Sequence, residues 1–180
     1  LANDKDVLLN STCASVIQSP ELLKGLEKAL DIKIDPSAIN KKAVVMCYGV
    51  PEDIGSYKGI MTCRTAAKLA GGPRECPFGC LGFGDCVNVC PSDAIRIDKE
   101  RRIAVIDPSK CTGCGLCIKE CPRNIIKLVP SDANIVFLCS YDSLKNIPGR
   151  EKCDEGCLHC RKCFKACEYD AIIWNEEKGI

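Results

Sequence analysis

Residues 111–122 read CTGCGLCIKECP, and this stretch determines how the rest of the chain is interpreted. Its four cysteines are separated by two, two and three residues and are followed by Pro122, a spacing typical of iron–sulfur cluster ligation. The loop contains glycines that let the first three thiolates reach one cluster, whereas the fourth thiolate serves a second cluster. A zinc site or a disulfide pair is the alternative, but zinc sites normally pair two C-x-x-C knuckles well apart in sequence. The stretch therefore predicts one cluster here and a second cysteine motif elsewhere.

That second motif is found in residues 76–95, which read CPFGCLGFGDCVNVCPSDAI. Phe83 stands where the usual run has its middle cysteine. Either Cys76 substitutes for the missing thiolate, which we favour, or the cluster lacks one iron and is of the 3Fe-4S kind. Exchange of the fourth thiolates then predicts two ligand sets. One set is Cys76, Cys80, Cys86 and Cys121, and the other is Cys90, Cys111, Cys114 and Cys117.

Short helices and strands are predicted around these motifs. The apolar arms 94–97 and 103–106 flank a polar turn and predict a β-hairpin that covers the clusters. Ser19-Pro20-Glu21 is a helix-start signal for an amphipathic helix over 20–30. A buried strand is expected over 43–46, and a second helix over 60–70 that begins near Cys63. The predicted fold is α+β, with a bacterial dicluster ferredoxin-like core, an additional cluster-binding module and short flanking helices.

An internal repeat predicts a further cluster. Residues 153–172 align without a gap on residues 76–95, with four shared cysteine positions and five further identities. Cys160 fills the position that Phe83 leaves empty, and residues 135–139 repeat the strand-then-cysteine pattern of 43–47. The third ligand set is predicted as Cys157, Cys160 and Cys163 plus a fourth thiolate, either Cys153, by analogy with Cys76, or Cys139.

The repeat also suggests how the chain is divided. We expect an N-terminal helical segment (1–42), a strand-helix segment (43–73), a two-cluster domain (74–132) and a third cluster module (133–180). Five cysteines have no assigned role at this point. Cys167 is left over from a degenerate or truncated site, and each of the other four is either a core thiol or a ligand of a further cluster. The five are Cys13, Cys47, Cys63, Cys139 and Cys167.

Composition narrows the class of protein. The 180 residues include 17 cysteines but only 4 Phe, 1 Trp and 4 Tyr, so an ordinary aromatic core is not available. Ligating thiolates imply a reducing compartment. The net charge of +1 predicts no strong attraction to nucleic acid or to a membrane surface, and no apolar run reaches the length of a membrane span. No dinucleotide-binding fingerprint follows a strand, and His159, between two predicted ligands, is interpreted as a polar neighbour.

The strings AVVMCYG, CRTAAKLAGGPREC, GCLGFGDCVNVCPSDAI and GREKCDEGCLHCRKC resemble the B subunit of the Rnf complex in its polyferredoxin form. The resemblance covers roughly residues 20–175. It implies an electron-transfer subunit with at least two 4Fe-4S clusters, and we expect three. Such a subunit works at the cytoplasmic side of a bacterial membrane, attached through a segment outside this chain. It passes electrons between ferredoxin, other subunits and NAD in an ion-pumping complex.

The mechanism expected from the clusters needs no catalytic group, because a series of neighbouring clusters carries single electrons without one. The expected partners are other subunits of a redox complex and a soluble ferredoxin or flavodoxin. Basic residues beside residues 111–122 and within residues 153–172 could dock such an acidic partner, or are solvated surface residues. They are Lys110, Lys119, Arg123, Arg161, Lys162 and Lys165. The alternative function is a polyferredoxin subunit that feeds a soluble redox enzyme, such as a hydrogenase-type assembly.

Overall fold

The described part of the fold covers most of the cysteine-rich region. A computed structural model describes residues 20–31, 33, 41–49, 57–69, 71–74, 76–133, 135–140, 153, 156–157 and 160–174.

Short helices and strands are mixed along these residues, as expected for an α+β protein. In chain order they are α1 (Pro20–Leu30), β1 (Lys41–Val45), α2 (Cys63–Lys68), α3 (Asp85–Asn88), β2 (Ile95–Ile97), β3 (Ala104–Ile106), α4 (Leu116–Glu120), β4 (Ile126–Pro130) and α5 (Lys162–Ala166). None of the helices in the described ranges combines the length and apolar character that a membrane crossing requires.

The predicted β-hairpin is confirmed. Strands β2 and β3 pair antiparallel, with Ile95 opposite Ile106 and Ile97 opposite Ala104. The connecting turn is closed by the N–H of Asp98, which donates to the carbonyl of Ile103 at 2.8 Å. The Asp98 carboxylate in turn accepts the backbone N–H groups of Glu100 and Arg101. The alternating apolar arms and the polar turn of the sequence account for this element.

A second antiparallel pair joins distant parts of the chain. Strand β1 pairs with β4 from Lys41 opposite Pro130 to Val45 opposite Ile126, and the N–H of Met46 extends the pairing by donating to the carbonyl of Ile125 at 2.7 Å. The sequence predicts strand β1 but not β4. The segment that precedes residues 76–95 is thus packed on the region that holds the two cysteine motifs.

The core of this region is built from small aliphatic residues and cysteines. Its buried members are Ala43, Val45, Cys80, Cys86, Ala94, Ile95, Ile103, Ala104, Cys111, Cys117, Ile125 and Ile126. The hairpin and the β1–β4 pair therefore form an apolar wall around cysteine side chains, as the alternating pattern predicts for the hairpin.

One local backbone geometry occurs three times, once after each cysteine loop. The residue before each of α3, α4 and α5 has a left-handed conformation, and so does the third residue after the last cysteine of each motif. The first group is Gly84, Gly115 and Arg161, and the second is Asp93, Asn124 and Asp170. The third module thus repeats the backbone turns of the two-cluster domain.

Two flanking predictions have different outcomes. Helix α1 is confirmed at Pro20–Leu30, although the side chains of its four leucines lie outside the described part of the structure. Residues 135–138 do not form the strand that the repeat suggests. Only Cys139 pairs, in an isolated antiparallel bridge with Cys47, and Ile135 is 91 % exposed. An apolar segment without a neighbouring strand cannot build a ladder.

Candidate iron–sulfur sites

Four cysteines line one cavity beside the hairpin. Cys90, Cys111, Cys114 and Cys117 are joined there by Ala43, Ser92, Ala94 and Leu116, among others. These four thiols, which we call the Cys117 site, come from both cysteine motifs. They are the same four that the sequence assigns to one cluster, with Cys90 contributed by the opposite motif.

Backbone groups aim at the sulfurs of the Cys117 site. The N–H of Ala43 in β1 donates to Cys111 Sγ at 3.4 Å, and the N–H of Ala94 donates to Cys90 Sγ at the same distance. Lys42 Nζ also donates to the carbonyl of Cys111 at 2.7 Å. Hydrogen bonds to ligand sulfur stabilise the thiolate and are one means of setting the reduction potential of a cluster.

The thiols of this site do not have uniform acidity. Burial, and then the charges of Cys111, Cys114 and Cys90, raise the pKa of Cys117 to about 11. Burial also acts on Cys90, but hydrogen bonds from Ser92 and from the N–H of Ala94 bring its pKa below the usual value. Like-charge repulsion among crowded thiolates disappears when each binds a cation, so the set suits a positively charged inorganic group.

A second cavity contains the other half of the exchanged pair. Cys63, Cys80, Cys86 and Cys121, which we call the Cys86 site, line it together with Val45, Leu81, Asp85 and Ala104. Burial raises the pKa of Cys86 to about 12, and the charges of Cys80, Cys63 and Cys121 contribute to the rise in that order. Cys76, which the sequence places in this set, is not among the residues lining the cavity. The role of Cys76 as a ligand of this cluster stays a prediction, and the structure places Cys63 at the position in question.

Helix α2 carries Cys63 to this cavity. The helix begins at Cys63, and the carboxylate of Asp85 accepts the N–H groups of Cys63 and Arg64 at 2.8 and 3.0 Å. Asp85 is the first residue of α3 and precedes Cys86, so one side chain ties the two thiol-bearing helices together. Arg64 also forms an ion pair with Glu120 of α4 at 2.8 Å.

The Cys63 thiol faces the loop in which the second motif lacks its middle cysteine. Burial raises the pKa of Cys63, and the backbone N–H groups of Asp85, Phe83 and Gly84 lower it by hydrogen bonding. The Phe83 ring packs instead on Tyr57, with ring centroids 5.4 Å apart. Cys63 therefore places a thiol near the loop position at which Phe83 replaces the usual cysteine.

The donor chemistry of both cavities fits iron–sulfur clusters. Each cavity presents four thiols in an apolar wall, and the N–H of Ala104 donates to Cys80 Sγ at 3.4 Å as in the other site. No three histidine, cysteine or carboxylate side chains of the described residues meet closely enough to hold one metal ion. The thiolates of a 4Fe-4S cluster lie farther apart than the ligands of a single metal ion, because each thiolate binds a different iron atom.

The third predicted set is more exposed than the other two. Cys157 is half-buried, whereas Cys160 and Cys163 are exposed on the loop and on α5. The N–H of Ala171 donates to Cys167 Sγ at 3.4 Å, as the N–H of Ala94 does to Cys90 in the equivalent turn. His159 and Cys13 lie outside the described residues. Cys153 is one of the two candidates for the fourth ligand of this set. Its charge contributes to the raised pKa of Cys76.

Sequence reasoning misses one residue of the Cys86 site. Cys63 lies far upstream of the motif, so no ligand spacing includes it and no role can be assigned to it. The available signal is indirect: an unexplained cysteine at the start of a predicted helix, beside a motif that lacks one ligand.

Two family models match the cysteine-rich regions. A 4Fe-4S dicluster domain matches residues 75–125, and a 4Fe-4S binding domain matches residues 157–171. The first match contains both cysteine motifs of the two-cluster region, and the second contains most of the repeat at 153–172, from Cys157 to Ala171. These matches support at least two 4Fe-4S clusters in the chain.

Curated relatives extend the likeness beyond the cysteine motifs. The B subunit of the Na(+)-translocating ferredoxin:NAD(+) oxidoreductase complex of Acetobacterium woodii is 41 % identical over 140 residues, which is 76 % of this chain and 41 % of the relative. The B subunit of the proton-translocating ferredoxin:NAD(+) oxidoreductase complex of Clostridium ljungdahlii is 41 % identical over 118 residues, 64 % of this chain and 40 % of the relative. The B subunit of an ion-translocating oxidoreductase complex of Methanosarcina acetivorans is 35 % identical over 117 residues, 64 % of this chain and 43 % of the relative.

The chain thus spans about two fifths of the length of the relatives it matches. Its 4Fe-4S domains and its similarity to three subunits of oxidoreductase complexes both indicate an iron–sulfur electron-transfer role. Over the matched residues, the chain contains 4Fe-4S domains and is similar to the B subunits of ion-translocating oxidoreductase complexes.

Proposed function

We propose that this chain carries single electrons through 4Fe-4S clusters bound by its cysteine thiolates. The observation that best supports the proposal is the pair of four-cysteine cavities, in which Cys90 and Cys121 each join the thiols of the opposite motif. A bound 4Fe-4S cluster takes up and gives back one electron within a wide range of reduction potentials. Neighbouring sites of this kind need no moving part and no acid–base group.

The proposed ligands follow from the two cavities. Cys90, Cys111, Cys114 and Cys117 hold one cluster. Cys80, Cys86 and Cys121 hold the other, with a fourth thiolate that is Cys63 by its position on the cavity lining or Cys76 by the repeat in the sequence. Cys157, Cys160 and Cys163 are proposed as ligands of a third cluster.

The surrounding residues have two tasks in this proposal. Ala43, Ala94, Ile95 and Ala104 are all buried and keep water away from the thiolates. Three of them, the alanines, also donate backbone N–H groups to ligand sulfurs. Water exclusion and N–H···S hydrogen bonds both help to set the reduction potential of a cluster. The hydrogen bonds here come from backbone N–H groups and not from side chains.

Iron and acid-labile sulfide analysis of protein prepared without oxygen tests the proposal. At least about eight irons and as many sulfides per chain are expected for two complete clusters. Electron paramagnetic resonance of the reduced protein should give the signals of interacting 4Fe-4S clusters. A folded, colourless protein, or one that holds zinc without sulfide, would contradict the proposal.

We further propose that the chain works as a subunit of a membrane-associated, ion-pumping ferredoxin:NAD(+) oxidoreductase complex, on its cytoplasmic side. The names of the relatives support a role in such a complex, since each is the B subunit of an ion-translocating complex. The proposed partners are other subunits of that complex and a soluble ferredoxin or flavodoxin.

Exposed cations beside the cysteine motifs support a docking role for an acidic electron carrier. Lys110 and Lys119 are exposed near the Cys117 site, and Lys162 and Lys165 are exposed on α5. Charge steering of this kind raises association rates and weakens with salt. Reduction of the iron-loaded chain by reduced ferredoxin should therefore slow severalfold in Lys162→Glu/Lys165→Glu. The control, Lys24→Glu/Lys28→Glu, changes the same number of exposed lysines on α1 and should leave the rate unchanged.

A further inference from the structure

Four cysteines outside the two cavities are related in pairs by the internal repeat. Cys47 follows β1, and Cys139 follows the equivalent apolar segment. Cys76 opens the second cysteine motif, and Cys153 opens the third at the equivalent position. Each copy of the repeat thus contributes one cysteine after its strand segment and one at the start of its cysteine loop.

The backbone brings the two copies together at Cys47 and Cys139. These residues form an isolated antiparallel bridge. The next residue, Ser140, donates its hydroxyl proton to the carbonyl of Phe78 at 2.8 Å. Phe78 lies two residues after Cys76, so the 139–140 segment contacts both the end of β1 and the loop that holds Cys76.

The two loop cysteines have the same local turn. The N–H of Gly79 donates to the carbonyl of Cys76 at 3.0 Å, and the N–H of Gly156 donates to the carbonyl of Cys153 at 3.3 Å. A Cβ added at Gly156 would lie 3.1 Å from Cys153 Sγ, so the sulfur is folded back over its own loop. The two loops therefore share the same backbone hydrogen bond at their first cysteines.

The electrostatic environment of Cys76 connects the four thiols. Burial raises the pKa of Cys76, and the charges of Cys47, Cys153 and Cys139 raise it further. The other three cysteines of this group therefore lie close enough to Cys76 for their charges to act on its thiol. All four are half-buried, unlike the exposed Cys160 and Cys163.

We propose that Cys47, Cys76, Cys139 and Cys153 hold a further 4Fe-4S cluster, at the junction between the two copies of the repeat. The four thiols come from four separate segments, whereas a structural zinc site would be expected to use paired C-x-x-C knuckles. The site makes the third module part of the same cluster array as the two-cluster domain. It also leaves Cys157, Cys160 and Cys163 with a fourth ligand other than Cys153 or Cys139.

The proposed site adjoins the Cys86 site. The N–H of Cys80 donates to Cys47 Sγ at 3.4 Å, so a ligand residue of one site contacts a sulfur of the next. Arg123 is close to both sites, because it lines the Cys86 cavity and donates to the carbonyl of Pro77, the residue after Cys76. The same guanidinium donates to the carbonyls of Gly71 and Pro77 and fixes the loop around Cys76. The use of this site as a step in electron transfer rests on the proposed function, whereas its ligation does not.

Iron and sulfide counts of single variants test the ligation. In Cys139→Ser, about four irons and four sulfides per chain should be lost relative to the wild type. The double variant Cys139→Ser/Cys153→Ser should lose no more, because both residues serve one cluster. The matched control Cys111→Ser should lose a different cluster, identified by the paramagnetic signal that disappears.

Chemical labelling of the unaltered protein gives a second test that needs no variant to fold. In the iron-loaded chain without oxygen, the four thiols should resist iodoacetamide and become reactive together when an oxidant and a chelator remove iron. Labelling of Cys139 in the iron-loaded chain, unchanged iron in Cys139→Ser, a twofold greater loss in the double variant, or bound zinc would each overturn the proposal. A wild-type chain without iron would instead contradict the electron-transfer function itself.

Discussion

The carboxylate of Asp85 accepts the backbone N–H of Cys63 at 2.8 Å, and so joins the first residue of α2 to the first residue of α3. The same carboxylate accepts the N–H of Arg64. Two otherwise unpaired N–H groups of a short helix are thereby satisfied by a residue adjacent to Cys86. The position of the Cys63 thiol in the Cys86 site consequently depends on a side chain that ligates nothing.

Replacing that carboxylate should loosen the Cys86 site. We expect Asp85→Ala to lower the free energy of unfolding by about 1–2 kcal/mol, the usual cost of losing a helix-capping or charged hydrogen bond. Iron should also be released to a chelator several times faster than in the wild type. Asp85→Asn is the control, because it keeps one acceptor oxygen and should show a smaller effect. Equal release rates in all three proteins would contradict this role.

The fourth ligand of the Cys86 site can be identified by comparing two variants. The cavity lining predicts that Cys63→Ser changes or removes the paramagnetic signal of the cluster shared with Cys80, Cys86 and Cys121. In Cys76→Ser that signal should persist, because Cys76 does not line the cavity of the Cys86 site. The charges that raise the pKa of Cys76 are those of Cys47, Cys153 and Cys139, which lie outside that site. The measurement is electron paramagnetic resonance of both reduced variants beside Cys80→Ser as a reference. The opposite pattern would favour the assignment made from the sequence repeat.

Substitutions at two glycines of one loop allow the cost of backbone strain to be measured apart from the cost of a steric clash. Gly113 and Gly115 have φ values of 73° and 75°, but a Cβ at Gly113 would collide with the carbonyl of Lys41, whereas one at Gly115 would meet no atom within 4 Å. Gly115→Ala should therefore cost only about 1–2 kcal/mol, for the left-handed conformation. Gly113→Ala should cost a further ~1–3 kcal/mol, as in other overpacked sites.

Thermal loss of the visible cluster absorption measures this difference. Gly113→Ala should lose its colour at a clearly lower temperature than Gly115→Ala. Similar temperatures for the two variants would show that β1 does not pack against the loop as described.

Iron should leave the third module before it leaves the two-cluster domain. Cys160 and Cys163 are exposed, whereas Cys80 and Cys117 are only 7 % and 6 % exposed. With a mild oxidant and a chelator, we expect a fast phase of about four irons followed by a slower one. Cys160→Ser should lack the fast phase, and Cys114→Ser should lose amplitude from the slow phase. A single phase in the wild type would contradict the expected difference in protection.

The elements that depend on neighbouring residues are predictable from the sequence. The hairpin formed by β2 and β3 follows from alternating apolar residues around a polar turn, and α1 follows from Ser19-Pro20-Glu21. The Cys117 site follows from the spacing of one motif and the exchange rule, and its four thiols do line one cavity.

Features that depend on distant residues are not predictable in the same way. Strand β4 escapes prediction because its pairing with β1 is a long-range contact that no local pattern specifies. Cys63 has no predicted role because helix α2 and Asp85, not a spacing rule, bring it to the Cys86 site. The expected strand at 135–138 is absent because only Cys139 finds a pairing partner.

The pairing of β1 with β4 has a practical consequence for anyone who isolates the cysteine-rich half of the chain. A fragment that starts at Pro73 would contain both cysteine motifs but would lack strand β1. Strand Ile126–Pro130 would then lose its pairing partner, and Cys111 Sγ would lose the hydrogen bond from the N–H of Ala43. Open edges of this type recruit strands from other molecules. Expression boundaries placed upstream of Lys41 should yield monomers, whereas those placed at the motif itself invite aggregation.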